Sequence, residues 1–306
     1  MIGLISAPTN LGLRPPVPGG TPGTSKAPKA LREAGLNRRL VDAGGVELGT
    51  VLAGRYVADP DLPAGRLRNQ EAILDHSQRL AVRIEQALAA GHSPLVIGGD
   101  CSLLTGTGLA LSLRGRHGLV HIDGHTDFRH PGNSTSCASL AGEDLAAAVG
   151  MHWPSIADVD GMGPYIAPQD VVHIGCRDDD EQLDEVRDVV ASVITAAELH
   201  ALGPCAAAQR ALDVVSRPGV AGYWLHIDVD VLDPTFMPAV DSPSPGGLSP
   251  DEFTTLLATV APGALGAEVA CFDPDLDPDE DYARLLSDIL VTGLGDLGSG
   301  ATALPA

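Results

Sequence analysis

The sequence predicts an α/β fold: a parallel sheet covered by helices on both faces, in a single domain over residues 1–306. Three observations carry this. The strand segments are near-continuous apolar runs rather than alternating ones, as buried parallel strands require. They are separated by segments of helical spacing. No internal repeat or long linker breaks the series.

"MIGLISAP" opens as a short apolar strand that Pro8 ends. Residues 12–28, dense in Gly and Pro, are irregular and belong to a loop near the mouth of the fold. Helical spacing follows at 28–40 and again from Asn69 to Ala90, where Gly91 supplies the stop. "PLVIGG" is the next strand and "HGLVHIDGH" the one after, with an irregular stretch over 128–138. "SLAGEDLAAAVG" reads as a helix, "DVVHIGCRD" as a strand and 189–194 as a short strand. Pro204–Ser216 is a helix with proline in its first turn, where a missing N–H costs nothing. "AGYWLHIDVDVLDP" is a strand, and "SPDEFTTLLATV" a helix with Ser249 and Glu252 in capping-box spacing. "GALGAEVACFDP" is a further strand and 279–293 the last helix.

Composition narrows the function. Forty acids against 19 Lys plus Arg give a formal charge of −21. A field of that sign repels phosphate backbones, which argues against nucleic-acid partners, and favours a small cationic substrate; it also describes an ordinary acidic solvated surface. Five cysteines without short regular spacing do not form a disulfide scaffold in a chain of 306 residues. The start lacks a basic segment followed by a long apolar run, and no stretch reaches 18 apolar residues, so the expectation is a cytoplasmic protein with no membrane contact.

Three strands end in polar runs: "VIGGDCS" at 96–102, "LVHIDGHTDF" at 119–128 and "LHIDVDVLDP" at 225–234. Ligands of open α/β sheets bind beyond the carboxyl ends of the strands, so Cys101, Asp123, His125, Asp127, Asp228 and Asp230 are expected to converge there. Alternate spacing lets Asp123, His125 and Asp127 address one centre, and Asp228 with Asp230 repeats it. Carboxylates gathered in a buried place need compensation that divalent cations supply. Two cations bridged by carboxylates use the whole set, and its oxygen-rich chemistry suits Mn²⁺. Either aspartate of the second pair, taken alone, serves equally well as a cap of the following turn. Asp100 is assigned to holding the "GGDCS" turn, His121 and His173 to the core, and His226 to orienting a ligand. Cys176, Cys205 and Cys271 read as small buried hydrophobes.

"GGDCS", "DGHTD", "HIDVDVLDP", "GGLS" and "GAEVACFDP", in this order, resemble the ureohydrolase family of arginases and agmatinases over nearly the whole chain. The resemblance implies a three-layer α/β/α arginase-like fold around a mainly parallel eight-stranded sheet, and assembly as a homotrimer or homohexamer. It implies two Mn²⁺ per chain and hydrolysis of a guanidino, hydroxyguanidino or related C–N bond by a metal-bridging hydroxide, releasing urea or an analogue. Carried over, Cys101, Asp123, Asp127 and Asp228 hold one metal, and Asp123, His125, Asp228 and Asp230 the other. Asp127 is the proton courier, Glu268 grips the guanidinium, and Asp180 binds the substrate's far end or belongs to an acidic helix start.

Two departures stand out. The family has His where this chain has Cys101, and the "HG" pair of the arginase-like loop is missing from "FRHPGNSTSCASLAGED", where neither His130 nor Cys137 replaces it. A thiolate adds negative charge and tilts the site toward Zn²⁺ or Fe²⁺. Three outcomes are open: a site retuned for another guanidine-like substrate, a weakened metal site, or a cysteine turned into the core. The alternative to a hydrolase is a non-catalytic protein of the same fold acting in a structural or interaction role.

Overall fold

The computed structural model describes residues 1–58 and 61–301. Among them, eight strands form one sheet: β1 (Ile2–Ala7), β2 (Val46–Thr50), β3 (Ser93–Gly98), β4 (Gly118–Ile122), β5 (Val171–Ile174), β6 (Ser192–Ile194), β7 (Tyr223–Asp228) and β8 (Gly266–Ala270). Their spatial order is β2-β1-β3-β8-β7-β4-β5-β6, and every pairing is parallel. The strands that end in polar runs therefore lie together at the centre of the sheet, β7 beside β4 and β8 between β7 and β3.

The helices are α1 (Ala27–Glu33), α2 (Leu36–Asp42), α3 (Gln70–Ala89), α4 (Leu103–Ser112), α5 (Asp144–Ala148), α6 (Pro154–Ala157), α7 (Leu183–Val189), α8 (Ala196–Leu202), α9 (Pro204–Val215), α10 (Pro250–Val260) and α11 (Asp281–Leu294). One core layer packs α1, α2, α9, α10 and α11 against Leu95, Ile122, Leu225 and Val269 of the sheet. The other sets α3, α4 and α5 against Ile5, Val96, Leu119 and Trp224. The alternation along each strand thus feeds two cores, which is the three-layer α/β/α arrangement. No helix among the described residues is long and apolar enough to cross a membrane.

Several expectations needed correction. The helix expected over 28–40 is two helices, because Gly35 takes φ +92° between them. "SLAGEDLAAAVG" is a 3₁₀ turn at Leu140–Gly142 followed by the short α5. The strand before "VDVLDP" stops at Asp228, whose side chain accepts from the Asp230 N–H and closes a 3₁₀ turn. Helix α4, "LLTGTGLALS", was not expected; Leu103 through Leu111 are all buried, so it has no polar face to create a periodic signal. The capping box of α10 forms as Ser249 and Glu252 predict.

Candidate metal centre and active site

The polar strand ends meet as the sheet topology requires. After β3 the chain turns through Gly98 and Gly99, where a Cβ on Gly99 would lie 1.7 Å from the Thr9 carbonyl oxygen. Asp100 is buried and holds this turn, accepting from Gly12 N (3.1 Å), Ser102 N (2.8 Å) and the Thr9 hydroxyl (3.3 Å). That geometry presents Cys101, fully buried, with its thiol donating to Asp228 Oδ2 at 2.9 Å.

After β4, Gly124 permits a bend that no other residue allows. A Cβ there would stand 2.6 Å from the Asp230 carbonyl oxygen and 2.9 Å from an Arg177 nitrogen. The Gly124 N–H instead donates to Asp230 Oδ1 at 3.0 Å, and the His125 N–H to Asp123 Oδ1 at 2.7 Å. His125 Nδ1 sits 2.9 Å from Asp230 Oδ2, and its Nε2 3.2 Å from the Ser244 hydroxyl. Asp127 takes φ +45°, a strained value for a non-glycine residue, and its side chain turns into the cavity. One set of ligand atoms within mutual reach joins Cys101, Asp123 and Asp127, and another joins Cys101, Asp228 and Cys271.

The electrostatics express the crowding. Burial and the neighbouring carboxylates push Asp123 and Asp127 far above the usual carboxylate range, and Asp228 up to about 7. Burial opposes the charge on His125, but Asp230 beside it wins and raises the imidazole to about 9. Asp230 is held low: burial would raise it, and His125 outweighs burial. The Cys101 thiol is driven up by burial, then by its contact with Cys271 and by Asp228. These carboxylates cannot all stay ionised without added positive charge, and Asp123 Oδ2 is buried with no hydrogen-bond partner among the described residues.

The site faces a cavity of about 430 Å³, whose wall includes Gly12, Leu13 and Arg14 of the Gly/Pro-rich loop. Asp180 is on that wall, but Thr126 donates to both of its oxygens, at 3.0 and 2.6 Å, so it ties the "DGHTD" segment to the loop after β5. Ala141 and Gly142 also line the wall.

Glu268 requires the largest revision. It is fully buried inside β8 and does not reach the cavity. Its Oε1 accepts from His226 Nδ1 at 2.8 Å and its Oε2 from the Thr107 hydroxyl at 2.5 Å, so both oxygens are committed. The residue that β8 delivers to the cavity is Cys271, with φ +67° and its sulfur 3.4 Å from that of Cys101. The strand period explains the difference: Glu268 pairs with His226, one step of two residues beneath the Asp228 and Ala270 pair.

That lower step is a polar layer of its own. His173, His121, His226 and Glu268 occupy one row across β5, β4, β7 and β8. His121 Nδ1 is 3.0 Å from His173 Nδ1, and the His121 and His226 rings stack at 4.7 Å. Asp144, from α5, closes the layer with a fully buried side chain. Burial raises it to about 7, and His226, despite burial, rises to about 9 on Glu268 and Asp144.

Three functional positions escaped the sequence reading. Arg177 is 8% exposed and donates to the carbonyls of Gly175, Asp230 and Ser244, fastening the loops that carry Asp230 and Ser244. Its signal was an arginine directly after an apolar strand. Asp144 was legible as an acid inside an otherwise apolar "DLAAAVG" segment. Ser244 left no signal. Cys205, expected buried, is exposed, because it lies at the start of α9 on its outer side.

The comparisons agree with this architecture. Residues 2–295 match the arginase family. The arginase of Bacillus caldovelox is 30% identical over 262 residues, covering 83% of this chain and 87% of that protein. Its crystal structure superposes with a TM-score of 0.84 over 96% of this chain and 97% of that one, at 28% identity. The arginase of Brevibacillus brevis is 28% identical over 284 residues, 90% of this chain and 93% of its own. Proclavaminate amidino hydrolase from Streptomyces clavuligerus shares the fold, with a TM-score of 0.72 over 98% of this chain and 92% of its own, at 24% identity. With the parallel sheet, the three polar strand ends and the match along almost its entire length, the chain belongs to the arginase family.

Proposed function

We propose that this protein is a metal-dependent hydrolase of a C–N bond in a guanidino, hydroxyguanidino or related amidino group of a small cationic molecule, releasing urea or an analogue. The observation that carries the reading is the convergence of His125, Asp127, Asp228 and Asp230 on one cavity at the carboxyl ends of β4 and β7, with Asp123 buried directly behind them. The unpartnered Asp123 oxygen and the raised carboxyls fit a cation site. Cys101, Asp123, Asp127 and Asp228 would hold one cation, and Asp123, His125, Asp228 and Asp230 the other. An oxygen-rich set favours Mn²⁺, and the thiol of Cys101 shifts the preference toward Zn²⁺ or Fe²⁺. Such a pair would supply a water acidic enough to attack at neutral pH and a Lewis acid that polarises the group bonded to the reacting carbon.

The chain's own residues do the rest. Asp127, on the cavity wall beside the proposed cation site, is suited to take the proton of the attacking water and pass it to the departing nitrogen. Asp179 and Asp241 on the wall draw a cationic group inward, a role that Glu268, with both oxygens engaged, does not fill. Arg177 keeps the Asp230 loop fixed during turnover. The chain would act as one domain, assembled as a cytoplasmic homotrimer or homohexamer.

Three features favour the second reading, a non-catalytic member: Cys101 at a ligand position, Glu268 withdrawn below the cavity, and a loop after Asp127 that lacks the "HG" pair. One experiment separates the two. Full-length protein loaded with Mn²⁺ or Zn²⁺ is assayed for urea, ammonia and amine release over a panel of guanidines, N-hydroxyguanidines and amidines. Turnover that disappears in Asp127→Asn supports the hydrolase; no release from any compound by protein holding two ions per chain refutes it.

A further inference from the structure

The layer beneath the cavity contains buried polar atoms that nothing among the described residues satisfies. Both carboxylate oxygens of Asp144, Nε2 of His226 and Nε2 of His121 have no hydrogen-bond partner among the described residues. Their residues are 0–2% exposed, so solvent does not satisfy them either. Leaving a buried polar group without a partner is costly, more so when it is charged, so four such atoms in one place call for a ligand.

Their spacing indicates which ligand. Asp144 Oδ2 lies 3.5 Å from His226 Nε2, and Asp144 Oδ1 lies 3.6 Å from His121 Nε2. Ligand atoms of Cys101, Asp144 and His226 all fall within 4.8 Å of one another. These separations are too long for good hydrogen bonds. The 3.5 Å between Asp144 and His226 matches the spacing of about 3.3–3.8 Å between ligand atoms around a tetrahedral zinc with bonds of about 2.0–2.3 Å, and the Cys101 sulfur is within reach of both. The outer contacts fit as well. Glu268 holds His226 Nδ1, which fixes the tautomer that offers Nε2, and Thr107 in turn holds Glu268. A carboxylate behind a histidine is the arrangement that orients and strengthens metal-ligating imidazoles.

We infer that Cys101, Asp144 and His226 form a thiophilic divalent-cation site, suited to Zn²⁺, one layer below the cavity, with Glu268 as the positioning residue for His226. A sulfur, a nitrogen and an oxygen ligand together select zinc over Mn²⁺. Cys101 is then the vertex shared by two layers, its sulfur touching Asp228 above and facing Asp144 and His226 below. The inference stands apart from the hydrolase reading, because its other ligands are not those assigned to the cavity.

The test uses metal-free full-length protein titrated with Co²⁺ and Zn²⁺, followed by the thiolate-to-cobalt charge-transfer absorption and by metal content. The wild-type chain is expected to show the sulfur band, and Zn²⁺ to displace the cobalt. Asp144→Asn and His226→Gln should each weaken Zn²⁺ binding at least tenfold and remove the band. Glu268→Gln should weaken binding about 10–100-fold while keeping the band at saturation. Asp127→Asn, at the cavity cation that would share Cys101, should leave the band unchanged. If Asp144→Asn fails to fold by circular dichroism, His226→Gln and Glu268→Gln decide the question. Absence of a sulfur band in the wild type overturns the inference, as does a band that survives His226→Gln at unchanged affinity or one that Asp127→Asn abolishes.

Discussion

Thr107→Val tests whether Glu268 is anchored below the cavity. The Thr107 hydroxyl is the partner of Glu268 Oε2, at 2.5 Å, and both side chains are fully buried. Valine keeps the shape and the β-branch, and its helix propensity is close to that of threonine, so α4 is unaffected. What is lost is a hydrogen bond to an ionised group, worth about 1.5–3 kcal/mol, with the oxygen left unsatisfied where water does not reach. The added methyl returns up to about 0.8 kcal/mol of apolar burial. The net expectation is a destabilisation of about 2 kcal/mol. With a urea m-value of about 3 kcal/mol/M, the midpoint of metal-free protein falls by about 0.7 M. Thr255→Val, whose hydroxyl bonds only within α10 on the exposed side, should stay within about 0.5 kcal/mol and serves as the control. A Thr107→Val change below about 0.5 kcal/mol would mean that Glu268 is not held there, and would return it to the list of cavity residues.

Three further outcomes follow from the geometry. Ser249→Ala should cost about 1 kcal/mol by removing the α10 cap. Burial opposes the Glu252 charge, yet hydrogen bonds from Ser249 hold its carboxyl below the ordinary value of 4.5. The stability that this depressed value contributes is present above pH 4.5 and lost as pH falls through the folded value, so the wild-type advantage seen in denaturant melts should shrink in acid. Adding Mn²⁺ or Zn²⁺ at about 100 times its dissociation constant should stabilise the chain by about 2.7 kcal/mol per site, and an unchanged melting temperature would refute a cation site in the strand-end cluster. A maleimide should label exposed Cys205 rapidly and half-buried Cys137, whose thiol is pushed up to about 11, slowly. Buried Cys101, Cys176 and Cys271 should react only on unfolding, and fast labelling of Cys101 in native protein would contradict its placement.

The sequence by itself determined the layered α/β arrangement and which residues gather. Parallel buried strands are written as unbroken apolar runs, and a polar cluster directly after such a run has nowhere to go but the carboxyl edge of the sheet. That reasoning placed Asp123, His125, Asp127, Asp228 and Asp230 together, and Ser249 with Glu252 announced α10 through purely local chemistry. Tertiary structure decided the level at which each side chain sits. Glu268, His226 and His121 share a row because three strands pair in one register, and no single-strand pattern carries that register. Asp144 joins them from a helix on the far side of a loop, and Cys271 meets Cys101 only because its backbone turns to φ +67°. The periodicity of a strand tells which face a residue points to, whereas its partners depend on how neighbouring strands are aligned, and that alignment is a property of the packed sheet alone.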